Sequence, residues 1–358
     1  MGKRTRKRGK CKSVRVSAED EVYVGLDVHK ATVDAAVRVN GVLVGTWVMP
    51  AETSTVVQSL EPYCAGVRKV VYEAGPTGYG LVRALREAGY RAEVVAPGKT
   101  PRPAVQGSKS DRLDCRTLAE FAEKNLLTSI AIPTEQEEAD RQIIRLRTQL
   151  MKKQRRVKQQ IKSLLLQYGV PEPQGLSHWT IQSRRALAHL TLPGVVRFAL
   201  DMLVEELEHL LGLLRSTERR IGQLRGEQRH REREARLRTH PGVGERTAMA
   251  FLLEVYRPER FGRAEELTAY VGLAPRVSQS GPTRREGPLL KAGRGALRAL
   301  LVEASWRWVR DDPAAGRVYR RLVRNTGSGR KAIVGMARRM AVNLWCMVRR
   351  DEAYRRAA

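Results

Sequence analysis

The hydrophobic period of this chain changes along its length, and no single packed layer accommodates both periods. Short β-branched runs come first, at residues 22–28, 32–39 and 42–49. They are parted by the polar break at His29-Lys30 and by Asn40-Gly41, two residues that favour positive φ. Together they predict a three-stranded antiparallel meander. A helix over 54–63, a strand over 68–73, a helix over 78–88 stopped by Gly89, a strand over 92–96 and a helix from about 111 to 124 follow. From Ile143 the apolar spacing becomes one of threes, fours and sevens, through Leu146, Leu150, Val157, Ile161 and Leu164. A second such run carries Leu200, Leu203, Leu207, Leu210, Leu214, Ile221 and Leu224.

The order βββαβαβα is that of the RNase H-like fold, so the chain reads as α/β followed by α. The two later runs predict long helices forming a coiled-coil hairpin, joined through Pro/Gly segments at 171–175 and 193–194. Their seam serves either internal packing or dimerisation. Beyond the charged stretch 229–238, His240-Pro-Gly-Val-Gly244 precedes Glu245-Arg-Thr-Ala248. Such a turn brings two short helices together and offers main-chain N–H groups, at Gly242 and Gly244, to a phosphate; a plain helix-turn-helix packing element explains it too. The expected divisions are a basic arm at 1–20, a catalytic domain at 21–130, a coiled-coil linker at 131–236 and a mainly helical domain at 237–358.

Charge narrows the function. The 358 residues include 66 Lys and Arg against 38 Asp and Glu, a formal charge of +28. An excess of this size is best tolerated against a polyanion, which makes nucleic acid the leading partner. The first sixteen residues hold eight basic side chains and no acid. Apolar stretches are broken by charge before the ~18–20 residues that a membrane span needs. Cys11, Cys64, Cys115 and Cys346 lack C-x-x-C spacing, against a zinc site or disulfide framework, and a cytoplasmic, nucleoid-associated protein is expected. Aromatic residues are only 5%, too few for a base-stacking platform to dominate.

In so basic a chain, the acids set inside or at the ends of apolar runs stand out. Asp27 lies within the first strand run, Glu73 closes the fourth, and Asp111 and Asp114 stand three apart where one helix would aim both at one point. Four such carboxylates suit Mg²⁺ or Mn²⁺, and two ions at ~3.5–4 Å stabilise the attacking and leaving oxygens of phosphoryl transfer. Plainer roles exist for each: a buried hydrogen-bonded acid at Asp27, an N-cap at Asp111, an ion pair with Arg112 or Arg116 at Asp114. His29 shares a strand face with Asp27 if the strand continues, and is otherwise a turn residue.

Gly25-Leu-Asp-Val-His-Lys30, Tyr72-Glu-Ala-Gly-Pro-Thr-Gly78 and Lys109-Ser-Asp-Arg-Leu-Asp-Cys-Arg116 resemble the three acidic motifs of the IS110 family of insertion-sequence transposases, the Piv-like DEDD recombinases. Pro241-Gly-Val-Gly244, Tyr270-Val-Gly-Leu-Ala-Pro275, Gln279-Ser-Gly281, Gly287, Lys291-Ala-Gly293 and Leu297-Arg298 resemble that family's second domain in order and spacing. The resemblance spans about residues 21–350. It implies a RuvC-like domain, a coiled-coil linker and a C-terminal domain with a catalytic serine. It further implies Mg²⁺-dependent cutting and rejoining of double-stranded DNA through a serine–phosphate link, directed by a structured guide RNA.

Carried onto this chain, the metal quartet is Asp27, Glu73, Asp111 and Asp114, and the nucleophile is Ser280, with Ser278 the alternative two residues away. Near that serine, Arg276, Arg284, Arg285 and Lys291 supply cations suited to phosphate, and Lys109, Arg112 and Arg298 lie in the matching motifs. Activation of the serine would come from the acidic cluster and its ions, since Glu286 is its one neighbouring carboxylate. The basic faces of 317–350 read as phosphate tracks, whereas Trp306, Trp308 and Trp345 are expected to fill the core. A homo-oligomer, dimer or tetramer, is expected. Two other readings stand beside the recombinase: a RuvC-type nuclease or junction resolvase that hydrolyses without a covalent intermediate, and a non-catalytic nucleic-acid scaffold.

Overall fold

The computed structural model describes residues 15–96, 114–280, 283–289 and 293–356, which form two compact units, 1–132 and 133–358. In the first, the expected meander is present as β1 (Val22–Val28), β2 (Thr32–Val39) and β3 (Val42–Pro50). It is followed by α1 (Thr53–Leu60), β4 (Val67–Glu73), α2 (Gly80–Glu87), β5 (Ala92–Val95) and α3 (Cys115–Glu123). The sheet order is β3-β2-β1-β4-β5, with β1, β2 and β3 antiparallel and β1, β4 and β5 parallel.

Alternation along the strands sorts the two faces of this sheet. Val24, Leu26, Val37 and Tyr72 point into a core with Val56 and Leu60 of α1 and Val82 and Leu85 of α2. On the other face, Ala36 packs with Cys115 and Ala119, and Val71 with Leu118 and Ala122, all four partners lying on α3. Gly25 permits that approach, because a Cβ there would stand 2.1 Å from the Cys115 carbonyl oxygen and 2.5 Å from the Ala119 nitrogen. The Arg38–Glu123 ion pair (2.8 Å) fixes the far end of α3 at the β2 turn. The helix therefore runs opposite to β1, and its N-terminus lies over the strand's C-terminal end.

The second unit is mostly helical, with one small sheet. Two 33-residue helices, α4 (Glu135–Gln167) and α6 (Gly194–Gly226), are each about 50 Å long. Thr134 and Glu137 form a reciprocal capping box at the start of α4. The connection between the two helices holds α5 (Ile181–Ala186). The apolar seam is spent within the chain: Leu150, Val157, Ile161 and Leu165 pack with Leu200, Leu207, Leu210 and Leu214. At the base of the pair, Ile144, Ile221 and Leu224 join the core of the remaining helices. These are α7 (Gln228–Leu237), α8 (Glu245–Val255), α9 (Ala264–Val271), α10 (Gly295–Asp311), α11 (Pro313–Thr326) and α12 (Gly329–Arg350).

Two expectations need correction. Helix α3 starts at Cys115, and Asp114 is its N-cap, accepting a hydrogen bond from Thr117 N (2.8 Å), so Asp114 is not a residue of the helix. Trp308 and Trp345 are buried as expected, but Trp306 is 48% exposed, its ring edge-on to Tyr319. The buried face of α10 carries Leu297, Leu301, Ala304 and Trp308, and position 306 falls on its far side. The serine segment, for which the sequence carries no strand signal, forms an antiparallel ribbon of β6 (Pro275–Ser280) and β7 (Thr283–Leu289). Among the described residues no helix is long and apolar enough to cross a membrane.

Candidate active site

The acids of the first unit gather by strand register. Asp27 is the penultimate residue of β1 and pairs directly with Asp34 of β2. In the parallel ladder Leu26 pairs with Tyr72, and one further step along both strands brings Asp27 level with Glu73, the last residue of β4. All three acids share parity with Gly25, Ala36 and Val71, so they belong to the face covered by α3. The N-terminus of α3, with its cap Asp114, comes over the same end of the sheet. The partial positive charge there favours carboxylates nearby.

His29 completes the group. Its backbone N–H donates to the Thr32 carbonyl (2.9 Å), closing the β1–β2 turn. Its Nε2 lies 3.3 Å from Oδ2 of Asp27 and 3.7 Å from Oδ2 of Asp34. One donor atom from each of Asp27, His29 and Asp34 can be drawn within 4.8 Å of the others, and all three side chains are partly exposed. The field of the acids reaches one more residue. Burial, then Asp114, Asp34 and Asp27 in that order, push the Cys115 thiol up to about 11.

The donor set fits a hard divalent cation. An octahedral ion of the Mg²⁺ kind spaces its ligand atoms about 3 Å apart in cis and about 4.2 Å in trans. Carboxylates this close on neighbouring strands repel unless a cation or a proton intervenes. Asp34 is a residue that sequence reasoning passed over. Its signal was present in the hairpin itself, since Asp27 and Asp34 stand equally far from the turn at Lys30-Ala31. Asp111, Lys109 and Arg112 lie outside the described residues.

In the second unit, the motif glycines have packing reasons. Gly242 (φ +84°) sits where a Cβ would meet the Ala304 carbonyl oxygen of α10 at 2.4 Å, so this turn holds the helices together. Gly244 is exposed and begins α8 with no side-chain cap. It borders an open groove of about 860 Å³ lined also by Arg147, Lys152, Arg155, Arg246 and Arg307. Gly293 (φ +98°) lies against the end of α9, a Cβ there falling 2.5 Å from the Tyr270 carbonyl oxygen. Arg298 donates to the Gly272 carbonyl (3.1 Å), tying α10 to that same helix end.

The β6–β7 ribbon springs from this clasp. Ser278 pairs with Arg285, Gln279 with Arg284, and Ser280 with Thr283, the last pair before the turn. Arg276 is exposed near the ribbon's base. Lys291 lies outside the described residues.

An α/β unit that gathers acids at one sheet end, in a chain so strongly basic, is of the class of enzymes that act on nucleic-acid phosphates, and the family matches narrow that class to the transposases. Two family profiles match in succession, the DEDD transposase of IS110 type over residues 24–170 and the transposase IS116/IS110/IS902 family over 234–320. The chain is 31% identical over 293 residues to a putative transposase, y4qE, of Sinorhizobium fredii, covering 80% of this chain and 71% of that protein. It is 26% identical to the transposase for insertion sequence element IS1533 of Leptospira borgpetersenii (80% and 85% covered). It is also 26% identical to that for IS1111A of Coxiella burnetii (85% and 83%). This chain belongs to the IS110 family of insertion-sequence transposases.

Proposed function

We propose that the N-terminal unit is an RNase H-like, RuvC-like catalytic domain at 21–130 following a basic arm. In this reading the long helices at 131–236 are a coiled-coil linker, and 237–358 is the transposase domain that carries the nucleophile. Asp27, Glu73, Asp111 and Asp114 would hold the metal, Mg²⁺ or Mn²⁺. Bound there, divalent ions supply charge stabilisation to the attacking and leaving oxygens of phosphoryl transfer. The Ser280 hydroxyl attacks a DNA phosphorus, and the deoxyribose oxygen departs with a proton as a free hydroxyl. Attack on that phosphoserine by the hydroxyl end of another strand rejoins the DNA and restores the serine.

What supports this reading most is the gathering of Asp27, Glu73 and the Asp114 cap around one end of the sheet. The groove beside Gly244, with the cations Arg276, Arg284, Arg285, Lys291 and Arg298 and those of the 109–112 segment, would hold phosphates of double-stranded DNA or of a structured guide RNA. Contacts of that kind position a duplex without reading its bases, which suits a protein whose target choice is delegated to a guide. A homo-oligomer, dimer or tetramer, would act at the element ends in the nucleoid.

The test is incubation of the full-length protein with Mn²⁺, its RNA and element-junction DNA, followed by a search for protein covalently attached to DNA. The expected adduct disappears in Ser280→Ala and in Asp27→Ala and persists in Ser278→Ala. Cut DNA without an adduct would make the protein a nuclease of the resolvase kind. Binding without cleavage would make it a scaffold.

A further inference from the structure

We propose that Glu254 is a positioning residue for the serine ribbon, its buried carboxylate holding Arg294 and thereby the joint at which both roots of β6–β7 meet. The inference rests on the reading that Ser280 is the nucleophile, and it assigns a role to an acid outside the motifs. A two-stranded ribbon is at best marginally stable alone, so its direction is set where it leaves the body that carries it. One root is the end of α9, where Tyr270 precedes the Gly272 cap and β6 begins at Pro275. The other is Gly293-Arg294, where the chain that left β7 enters α10.

Arg294 joins the two. Its backbone N–H donates to the Tyr270 carbonyl (3.1 Å), and its side-chain Nε donates to the Tyr270 hydroxyl (3.2 Å). That hydroxyl in turn donates to the main-chain carbonyl of Glu254 (2.9 Å). The Tyr270 ring is held by Phe261, 5.5 Å between ring centres, and by the Arg260 guanidinium, 4.3 Å from its centre. Glu254 is the penultimate residue of α8 and only 7% exposed. Its Oε2 lies 3.3 Å from Nε of Arg294, and its Oε1 3.6 Å from Nε of Arg145 on α4. A carboxylate this deeply buried is costly to keep unless its charge is compensated, and here two guanidinium groups compensate it. The same attraction draws Arg294 inward against Tyr270 and fixes the angle at which the ribbon departs.

The test is the rate at which the full-length protein, with Mn²⁺ and its RNA, attaches covalently to saturating element-junction DNA, measured beside DNA affinity and Tm. Glu254→Gln keeps the shape of the side chain and the main-chain carbonyl that Tyr270 bonds, and removes the charge that holds Arg294. A reacting group misplaced by about 1 Å loses up to about a hundredfold in rate, so the adduct should form about tenfold or more slower, with DNA affinity unchanged. Glu254→Gln combined with Arg294→Gln should be no slower than Arg294→Gln alone, because the carboxylate acts through that arginine. A residue of purely structural importance lowers Tm and DNA affinity together and gives no such split.

Ser280→Ala separates this inference from the reading beneath it. If Ser280→Ala abolishes the adduct while Glu254→Gln forms it at the wild-type rate, Glu254 positions nothing and this inference alone falls. If the wild type forms no adduct, or Ser280→Ala forms it undiminished, the serine reading falls and this inference with it. A loss of rate in Glu254→Gln that only matches its unfolded fraction, or that adds to the loss in Arg294→Gln, would overturn the inference as well. Should Glu254→Gln fail to fold, Arg294→Lys carries the test, since lysine keeps the charge but lacks the Nε donor that meets Tyr270 and Glu254. Slow attachment at an unaltered Tm is then expected, and the wild-type rate overturns the inference.

Discussion

His240 opens the turn into α8, and its environment dictates its protonation. The ring is 1% exposed and packed between Trp308 and Tyr354. Nδ1 lies 2.9 Å from the Pro241 carbonyl oxygen and must donate to it, so Nε2 carries the lone pair that accepts from the Asn343 amide (3.3 Å). Both contacts suit the neutral imidazole. Burial lowers its pKa to about 4, outweighing the hydrogen bond to Pro241 and the charge of Asp312, which act the other way. Above pH 6.5 the ring is neutral in both folded and unfolded chains, and nothing is lost. As pH falls from 6.5 to 4 the unfolded chain takes up its proton first, so stability drains away by about 3 kcal/mol over that window. Urea unfolding at pH 7 and pH 4.5 should therefore show a larger acid loss in the wild type than in His240→Asn. Parallel losses in the two proteins would contradict this account of the ring.

Among the elements, α3 decides whether the acids meet. Its backbone rests on β1 through Gly25, and in Gly25→Ala the added carbon would collide with main-chain atoms that cannot rotate away. The helix must shift, taking the Asp114 cap with it. Overpacking of this kind costs about 1–3 kcal/mol, so a lower Tm together with weakened Mn²⁺ binding is expected. An unchanged Tm would contradict this packing of α3 on Gly25. The strands themselves were legible, because β-branched runs around Asn40-Gly41 leave few alternatives, and so were the helical seams, whose leucines recur over four and more turns. The β6–β7 ribbon was not, since Arg-Val-Ser-Gln-Ser and Thr-Arg-Arg-Glu show no apolar alternation. Asp114 was legible as an acid near a helix start, but whether it sits inside the helix or caps it depends on which N–H its carboxylate meets, and that is settled by Thr117 N. Asp34 was hidden because a single aspartate in Thr-Val-Asp-Ala-Ala-Val reads as one polar residue of a strand, and its place opposite Asp27 follows from the register across the turn.

At the scale of the whole molecule, charge and acid are divided by task. A net +28 attracts a polyanion of any sequence and supplies affinity. It cannot by itself break a phosphodiester, whose displacement needs charge stabilisation at two oxygens. The acids Asp27, Glu73 and Asp114 lie in the first unit, and the serine ribbon belongs to the second. The proposed mechanism draws its carboxylates from one unit and its serine from the other, so it predicts that neither unit alone carries out the reaction. Crystals of the protein grown with Mn²⁺ and measured at the manganese absorption edge give the most direct view of the acidic sheet end. Anomalous density within bonding distance of the Asp27 and Glu73 carboxylates is the predicted result. Manganese bound elsewhere in the protein, with nothing at the end of that sheet, would contradict it.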